Sequence, residues 1–417
     1  MGPDMALTDL LTLGLVAFTA LGWTWDAAVL GLHLLKARKR RKTPTSPNPR
    51  HRFAFLVPAH NEEAVIGPLL DSVAKQEYPK ELFHVYVAAD RCTDRTAEVA
   101  RSKGATVIER WEGRSGKTWN LRYALERIPL ASYDYLVVVD ADNLVAPDFL
   151  KEIDRFLQEN PDTKALQTYL DTKNPFDTWI TKAIATVYWL TNFAWFRSRE
   201  VLGLSATLGG TGMVLSTALL RERGWKAESL TEDLELHVDL VLQGERVRYL
   251  ETARVYDEKP LTLRASYRQR VRWYQGHWYL LFKKAPLVLR EVFRKRGAHR
   301  LVLVDTFLYL LAPARYLASL GLLSFSLATR PPIDSLSYFA ATFLGYGLAS
   351  GALASLWRFG RLRPEVVRAG FFTPPYGLFW LPVAVHALAK ARDQENWAKT
   401  LHTRSVEVEK VLAGEKR

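Results

Sequence analysis

Leu136-Val137-Val138-Val139-Asp140-Ala141-Asp142 constrains this chain more than any other stretch. An uninterrupted, mostly β-branched apolar run reads as a strand buried on both faces, which places it inside a parallel sheet. Asp140 and Asp142 follow at its C-terminal end, where open α/β sheets bind ligands. In an extended segment residues i and i+2 project to one side, so both carboxylates are expected to face one ligand. Hard oxygen donors with no His or Cys beside them suit Mg²⁺ or Mn²⁺ shared with substrate phosphates. An Asp-rich turn closing a strand explains Asp-x-Asp alone equally well, so the rest of the chain decides.

Strands at 53–57, 84–88 and 106–109 alternate with helices through Ser72 and Val73, over 96–103 and over 117–125. That alternation predicts right-handed βαβ units, an α/β fold and a parallel sheet. Polar loops leave the strand ends: Pro58-Ala-His-Asn-Glu-Glu63 and Ala89-Asp90-Arg-Cys-Thr-Asp94. Asp90 at one strand end and Asp140 at another outline a nucleotide crevice. Gly113-Arg-Ser-Gly-Lys117 lacks the full P-loop spacing. A lysine at a helix N-terminus can still meet a phosphate, though a solvated lysine is its plain reading. The glycines at 209, 210 and 212 let backbone approach a ligand closely, or simply form a turn.

Ser229 and Glu232 have capping-box spacing. Glu232 and Asp233 at a helix start would also leave a carboxylate free to act as a general base. Gln269, Arg272 and Trp273 share one helix face, with Arg270 to one side. Such a surface can hold a diphosphate and a sugar. It can equally lie at a membrane interface, given Tyr274, Trp278 and Tyr279 beside it.

The formal net charge of +13 admits nucleic acid, anionic membranes or anionic substrates as partners. Its distribution favours membranes, because the basic runs at 36–42, 290–300 and 358–368 adjoin long apolar stretches. No basic-aromatic nucleic-acid module or zinc spacing is present, and Cys92 is the only cysteine. Residues 10–35 exceed the roughly 20 apolar residues that span a bilayer. The basic cluster after them places residue 36 onward in the cytoplasm. Asp26 inside that stretch faces a partner helix or a lipid channel, or equally lies nearer the cytoplasmic interface. Residues 301–327 and 336–357 read as two further spans joined by a short outer loop at 330–334. The second carries Gly347-x-x-x-Gly351, a helix-packing face. Residues 371–389, interrupted by Pro374, Pro375 and Pro382, are a weaker candidate, compatible with a kinked or re-entrant hairpin.

Six motifs in order make a combined signature: Pro58-Ala-His-Asn-Glu-Glu, Asp90-x-x-Thr-Asp94, Gly116-Lys117, Asp140-Ala-Asp142, Thr231-Glu-Asp233 and Gln269-Arg-x-Arg-Trp273. Over about residues 52–280 the chain resembles the inverting family 2 glycosyltransferases with a GT-A fold. Within them it looks like the membrane-integrated branch that includes cellulose, hyaluronan and poly-N-acetylglucosamine synthases. The resemblance implies a Rossmann-like nucleotide-sugar domain plus transmembrane helices. It divides the chain into an N-terminal transmembrane helix and basic flank (1–42), a cytoplasmic GT-A catalytic domain (43–260), interfacial helices (261–300), C-terminal transmembrane helices (301–390) and a basic tail (391–417). It implies an integral protein of a bacterial-type inner or plasma membrane.

The same resemblance implies that Asp90 hydrogen-bonds the uracil or ribose of a UDP-sugar, with Pro58, Ala59 and Glu62 lining that pocket. Asp140 would contact the nucleotide, and Asp142 with Asp140 the Mg²⁺ or Mn²⁺. Asp233, beside Glu232, would be the general base. Lys117, Arg270 and Arg272 would stabilise the leaving diphosphate, and Gln269 and Trp273 would sit near the acceptor. Two departures stand out. The usual Asp-Asp-Gly-Ser is Ala89-Asp90-Arg91-Cys92, and the membrane part is smaller than in the large synthases. The Gln-Arg-x-Arg-Trp motif favours extension of a polysaccharide, the first expectation, while the small membrane part favours the alternative, transfer of one sugar to a lipid or carotenoid. A nucleotidyltransferase would also use Asp-x-Asp, but gives no role to residues 269–273. A membrane scaffold or transporter would leave the carboxylate set unexplained. No motif specifies an oligomeric state.

Overall fold

The computed structural model describes residues 3–36, 48–329, 332–395 and 404–416. The basic run after Lys36, the start of the linker at 43–52, part of the outer loop at 330–334 and residues 396–403 of the tail lie outside the described residues. The chain forms two compact units.

The α/β unit takes the described residues of Arg38–Pro175, Leu204–Pro260 and Gln394–Arg417. Its sheet has eight strands: β1 Phe53–Ala59, β2 Phe83–Asp90, β3 Thr106–Arg110, β4 Tyr135–Val138, β5 Leu144–Val145, β6 Ala165–Thr172, β7 Met213–Ser216 and β8 Val247–Asp257. Their spatial order is β3-β2-β1-β4-β7-β6-β8-β5. The first four strands are parallel, as the βαβ alternation predicts. Beyond β4 the expectation of a parallel sheet fails. β7 runs antiparallel to both β4 and β6, while β6 and β8 are parallel to each other. The reason lies in the connection. Between β6 and β7 the chain passes through Phe176–Gly203, which folds with the helical unit. The handedness rule for βαβ units governs parallel pairs, and β7 is antiparallel to both its neighbours, so the rule does not apply there.

All four side chains of β4 are buried, as a central strand requires. Phe53, Phe55, Leu56, Leu136, Val137 and Phe149 are fully enclosed around it. Full burial of each such side chain contributes roughly 1.5–3 kcal/mol. At the far edge, helix Val408–Lys416 lays Val408, Val411 and Leu412 on Leu144, Ala146 and Tyr256.

The helical unit takes the described residues of Met1–Ala37, Phe176–Gly203 and Leu261–Asp393. Among the described residues one helix, Asp9–Lys36, is long and apolar enough to cross a membrane. Gly297–Leu310 and Ala312–Ser319 reach that length together, bent by 48°. Asp26 does face partners: Arg199 donates to it at 3.0 Å, and Arg315 stands 3.5 Å away. Arg199, buried, also donates twice to Asp305 (2.8 and 2.9 Å), which accepts from the Trp25 indole at 2.8 Å. The Gly347-x-x-x-Gly351 face packs against Pro364–Gly370: a Cβ on Gly351 would stand 2.9 Å from the Val367 Cα.

Candidate active site

Six chain segments of the α/β unit are brought together by the contacts around the C-terminal ends of β1, β2 and β4. The loops after β1 and β2 are stitched to each other. Asn61 Oδ1 accepts from the Thr93 backbone at 2.7 Å, Glu63 Oε2 from Arg95 N at 3.0 Å, and Asp94 Oδ2 from Glu63 N at 3.1 Å. Glu62, buried, donates its backbone N–H to Thr96 Oγ1 at 2.8 Å. Pro58 and Ala59 close β1 just before it. The Asp90 carboxylate is buried and accepts from Arg110 at 2.8 Å and Arg91 at 3.1 Å. The same arginines reach forward to the Arg114 and Gly113 carbonyls. Burial pushes the Cys92 thiol above its ordinary pKa.

Helix Lys117–Leu125 begins after Gly116, whose φ of 117° is one that glycine adopts without steric cost. The Lys117 ammonium is enclosed by acceptors. It stands 2.6 Å from Asp140 Oδ1 and 3.3 Å from Glu232 Oε1, and donates to the Gly210 carbonyl at 2.7 Å. Burial opposes its charge, but Asp140, Glu232 and Asp233 outweigh that and hold its pKa above the ordinary lysine value. The solvated-lysine reading therefore fails.

Asp140 and Asp142 are not in an extended segment. β4 ends at Val138 and Asn143 N donates to the Asp140 carbonyl at 3.0 Å, closing a turn around Ala141 and Asp142. The i, i+2 argument for a shared direction fails with it, because that periodicity holds only while the ladder continues. Asp140 is one-third exposed beside Lys117, and Asp142 is buried. Thr211, whose signal in sequence was only its place among glycines, ties this turn down. Its hydroxyl accepts from Asp140 N (3.1 Å) and donates to Asn143 Oδ1 (2.6 Å).

Helix Glu232–Leu242 starts from Thr231, and the Ser229–Glu232 capping box does not form. Glu235 does that work: its Oε2 accepts from the backbones of Glu228 (2.9 Å) and Ser229 (2.8 Å). Glu232 is thereby free to face Lys117. Asp233 comes to the same place, since a Cβ on Gly210 would stand 3.3 Å from Asp233 Oδ2 and 3.6 Å from Lys117 Nζ. Burial and the neighbouring Glu232 charge push the Asp233 carboxyl up to about 7, against the downward pull of Lys117.

Asp90, Lys117, Asp140, Asp142, Glu232 and Asp233 thus all belong to the α/β unit. Gln269, Arg270, Arg272 and Trp273 belong to the helical unit, on helix Leu263–Arg294. There the Arg270 guanidinium is buried, 3.9 Å from the Trp380 ring centroid and 4.3 Å from that of Tyr376. Gln269, Arg272 and Trp273 are half-buried.

Comparison with known proteins bears on this geometry. The profile described as "Glycosyltransferase like family 2" matches residues 49–276, more than half the chain. The β-monoglucosyldiacylglycerol synthase of Trichormus variabilis is 28% identical over 397 residues, 91% of this chain and 83% of that protein. The poly-β-1,6-N-acetyl-D-glucosamine synthase of Staphylococcus aureus is 26% identical over 55% of this chain and 56% of its own length. Among solved structures, the mannosyltransferase PcManGT from Pyrobaculum calidifontis, in complex with GDP-Man and Mn²⁺, superposes with a TM-score of 0.57 at 19% identity. That match covers 89% of this chain and 99% of that one, and the two share a GT-A-like α/β core. The chain belongs to the family 2 glycosyltransferases and is a glycosyltransferase.

Proposed function

We propose that this enzyme is a membrane protein that transfers a sugar from a UDP-sugar to the hydroxyl of a glycerolipid, with inversion to a β-linkage. One observation carries the chemistry. Lys117, Asp140, Glu232 and Asp233 gather around the Gly210 backbone, and one of those carboxyls is held near 7. A base with that pKa is deprotonated often enough, and is strong enough, to take a hydroxyl proton at neutral pH. Asp233 removes the acceptor proton. The acceptor oxygen bonds to the anomeric carbon as the bond to UDP breaks on the opposite face. The Lys117 ammonium and the helix N-terminus beneath it stabilise the departing diphosphate.

Asp140 and Asp142 would hold Mg²⁺ or Mn²⁺, which when bound neutralises diphosphate charge. The donor set fits. Both groups are hard oxygen ligands, and two carboxylates fill only part of the coordination shell of such an ion. That leaves positions for phosphate oxygens and water, as Mg²⁺ prefers. We assign Pro58, Ala59, Glu62 and Asp90 to the nucleoside end. Gln269, Arg270, Arg272 and Trp273 are assigned to acceptor and diphosphate on their motif alone.

For the acceptor, the match to β-monoglucosyldiacylglycerol synthases supports a lipid, because it runs through the helices outside the catalytic region as well. It also makes UDP-glucose the first donor to try. Extension of a polysaccharide is the second reading, favoured by the Gln-Arg-x-Arg-Trp motif and by the poly-N-acetylglucosamine synthase relative. The test is UDP release by detergent-purified enzyme with UDP-glucose, UDP-N-acetylglucosamine, UDP-galactose and UDP-glucuronate. Each donor is run with diacylglycerol or no added lipid, with Mg²⁺, Mn²⁺ or EDTA, and beside Asp233→Asn. A lipid-dependent single-sugar product, lost in EDTA and reduced at least 10³-fold in Asp233→Asn, is expected. A long polymer would favour the second reading, and undiminished transfer by Asp233→Asn would remove Asp233 as the base.

A further inference from the structure

Beneath the Asp140–Asn143 turn lies a charge that no motif accounts for. Lys173 follows β6, and its backbone N–H donates to the Asp257 carbonyl at 3.0 Å, continuing the β6–β8 ladder past its last paired residues. The next residue continues the match: Asn174 Oδ1 accepts from Lys259 N at 2.8 Å, and its Nδ2 donates to the Lys259 carbonyl at 2.9 Å. Two adjacent strand ends thereby fix where the Lys173 side chain starts. Its side chain is 2% exposed, and its ammonium donates to the Asp142 carbonyl at 2.7 Å and pairs with Glu258 Oε2 at 2.9 Å. Glu258 in turn accepts from the Arg404 backbone at 3.2 and 3.3 Å. The opposite side of the turn is held by Thr211 and by Asn143, whose Nδ2 reaches Asp257 Oδ1 at 3.3 Å.

A buried lysine is costly to desolvate and persists only when paired and hydrogen-bonded. Glu258 neutralises it, but neutralisation does not require a bond to the Asp142 carbonyl. That bond pins the one backbone unit between Asp142 and Asn143, and so sets the direction of the Asp142 side chain. We propose that Lys173 is a positioning residue for divalent-cation binding: its ammonium, braced by Glu258 and the returning C-terminal segment, presets the Asp142 carboxylate. The proposal rests on the reading of Asp140 and Asp142 as the cation-holding pair. Groups that orient metal ligands typically change metal affinity by 10–100-fold when removed.

The experiment is Mn²⁺ titration of the full-length enzyme, followed by the electron paramagnetic resonance signal of free Mn²⁺ with and without UDP. It uses Lys173→Met, the charge-balanced double variant Lys173→Met/Glu258→Gln, and Asp142→Asn, each checked for folding by circular dichroism. Expected is a Mn²⁺ dissociation constant raised about tenfold or more in both Lys173 variants, with metal-free UDP affinity unchanged. The double variant reports if the single one does not fold. Wild-type Mn²⁺ affinity in a folded Lys173 variant, alongside loss in Asp142→Asn, would overturn the positioning role alone. Wild-type affinity in Asp142→Asn would overturn the cation-pair reading, and this proposal with it.

Discussion

Replacing Lys117 with Met should move the pH profile of the reaction, and the structure sets the direction and the size. Lys117 Nζ and Asp233 Oδ2 lie within 3.6 and 3.3 Å of one point above Gly210, which limits their separation to about 7 Å. At an effective dielectric of ~20–40, a unit charge at that distance is worth ~1–2 kcal/mol, on the order of one pKa unit. Lys117 lowers the Asp233 pKa, so its removal raises it from about 7 toward about 8. At pH 7 the base fraction then falls from about one half to about one tenth. The plateau will also fall, because the diphosphate loses a cation, so the position of the acid limb is the informative quantity. The assay is kcat/KM for UDP release from pH 5.5 to 9 at constant ionic strength. Glu232→Gln provides the opposite sign: removing a carboxylate that raises Asp233 should carry the limb below the wild-type position. A limb that stays in place in both variants while the plateau falls would refute the assignment of that titration to Asp233.

Two further substitutions test the frame around the site. At Gly212, φ is 61° and an added Cβ would collide with Thr168 Oγ1 and reach 3.0 Å from Val255. Gly212→Ala should therefore cost roughly 1–3 kcal/mol, read as an earlier thermal transition; an unchanged melt would show that the loop relaxes freely. In the helical unit, Asp305→Asn leaves the buried Arg199 with Asp26 as its carboxylate partner among the described residues. Loss of about 3–5 kcal/mol is expected, seen as aggregation in detergent at lower temperature, and wild-type behaviour would contradict it.

The parallel half of the sheet was legible because its strands are short apolar runs ending in polar loops, separated by helices of ordinary length. The mixed half was not. β6 alternates residues such as Gln167 and Thr168 that carry no apolar period, although every one of its side chains is buried. β8 contains a register shift opposite Thr168 and Tyr169 that breaks any simple repeat. The carboxylates could be picked out by type and order, since Asp140 and Asp142 lie in the turn after β4 and Glu232 and Asp233 open a helix. Their supports were not readable. Thr211, Asn143, Lys173 and Glu258 act through individual polar contacts between segments up to 146 residues apart, and neither spacing nor composition records such a bond.

Asp90 marks where resemblance and physics diverge most usefully. The family pattern has glycine where this chain has Arg91, and Arg91 adopts a glycine-like φ of 47°. The side chain gained there is not idle. With Arg110 it closes on the Asp90 carboxylate, and both guanidiniums extend to carbonyls of the Gly113–Lys117 loop. A left-handed conformation is unfavourable for arginine, by on the order of 1 kcal/mol. Charge-assisted bonds of roughly 1.5–3 kcal/mol are sufficient to hold it. The loop so tethered is the one that delivers Lys117 to Asp140 and Glu232. An acid missing from the common pattern at Ala89 is thus accompanied by a guanidinium added at Arg91. The consequence is that Asp90 supports the ammonium at the centre of the site as well as lying at the proposed nucleoside end.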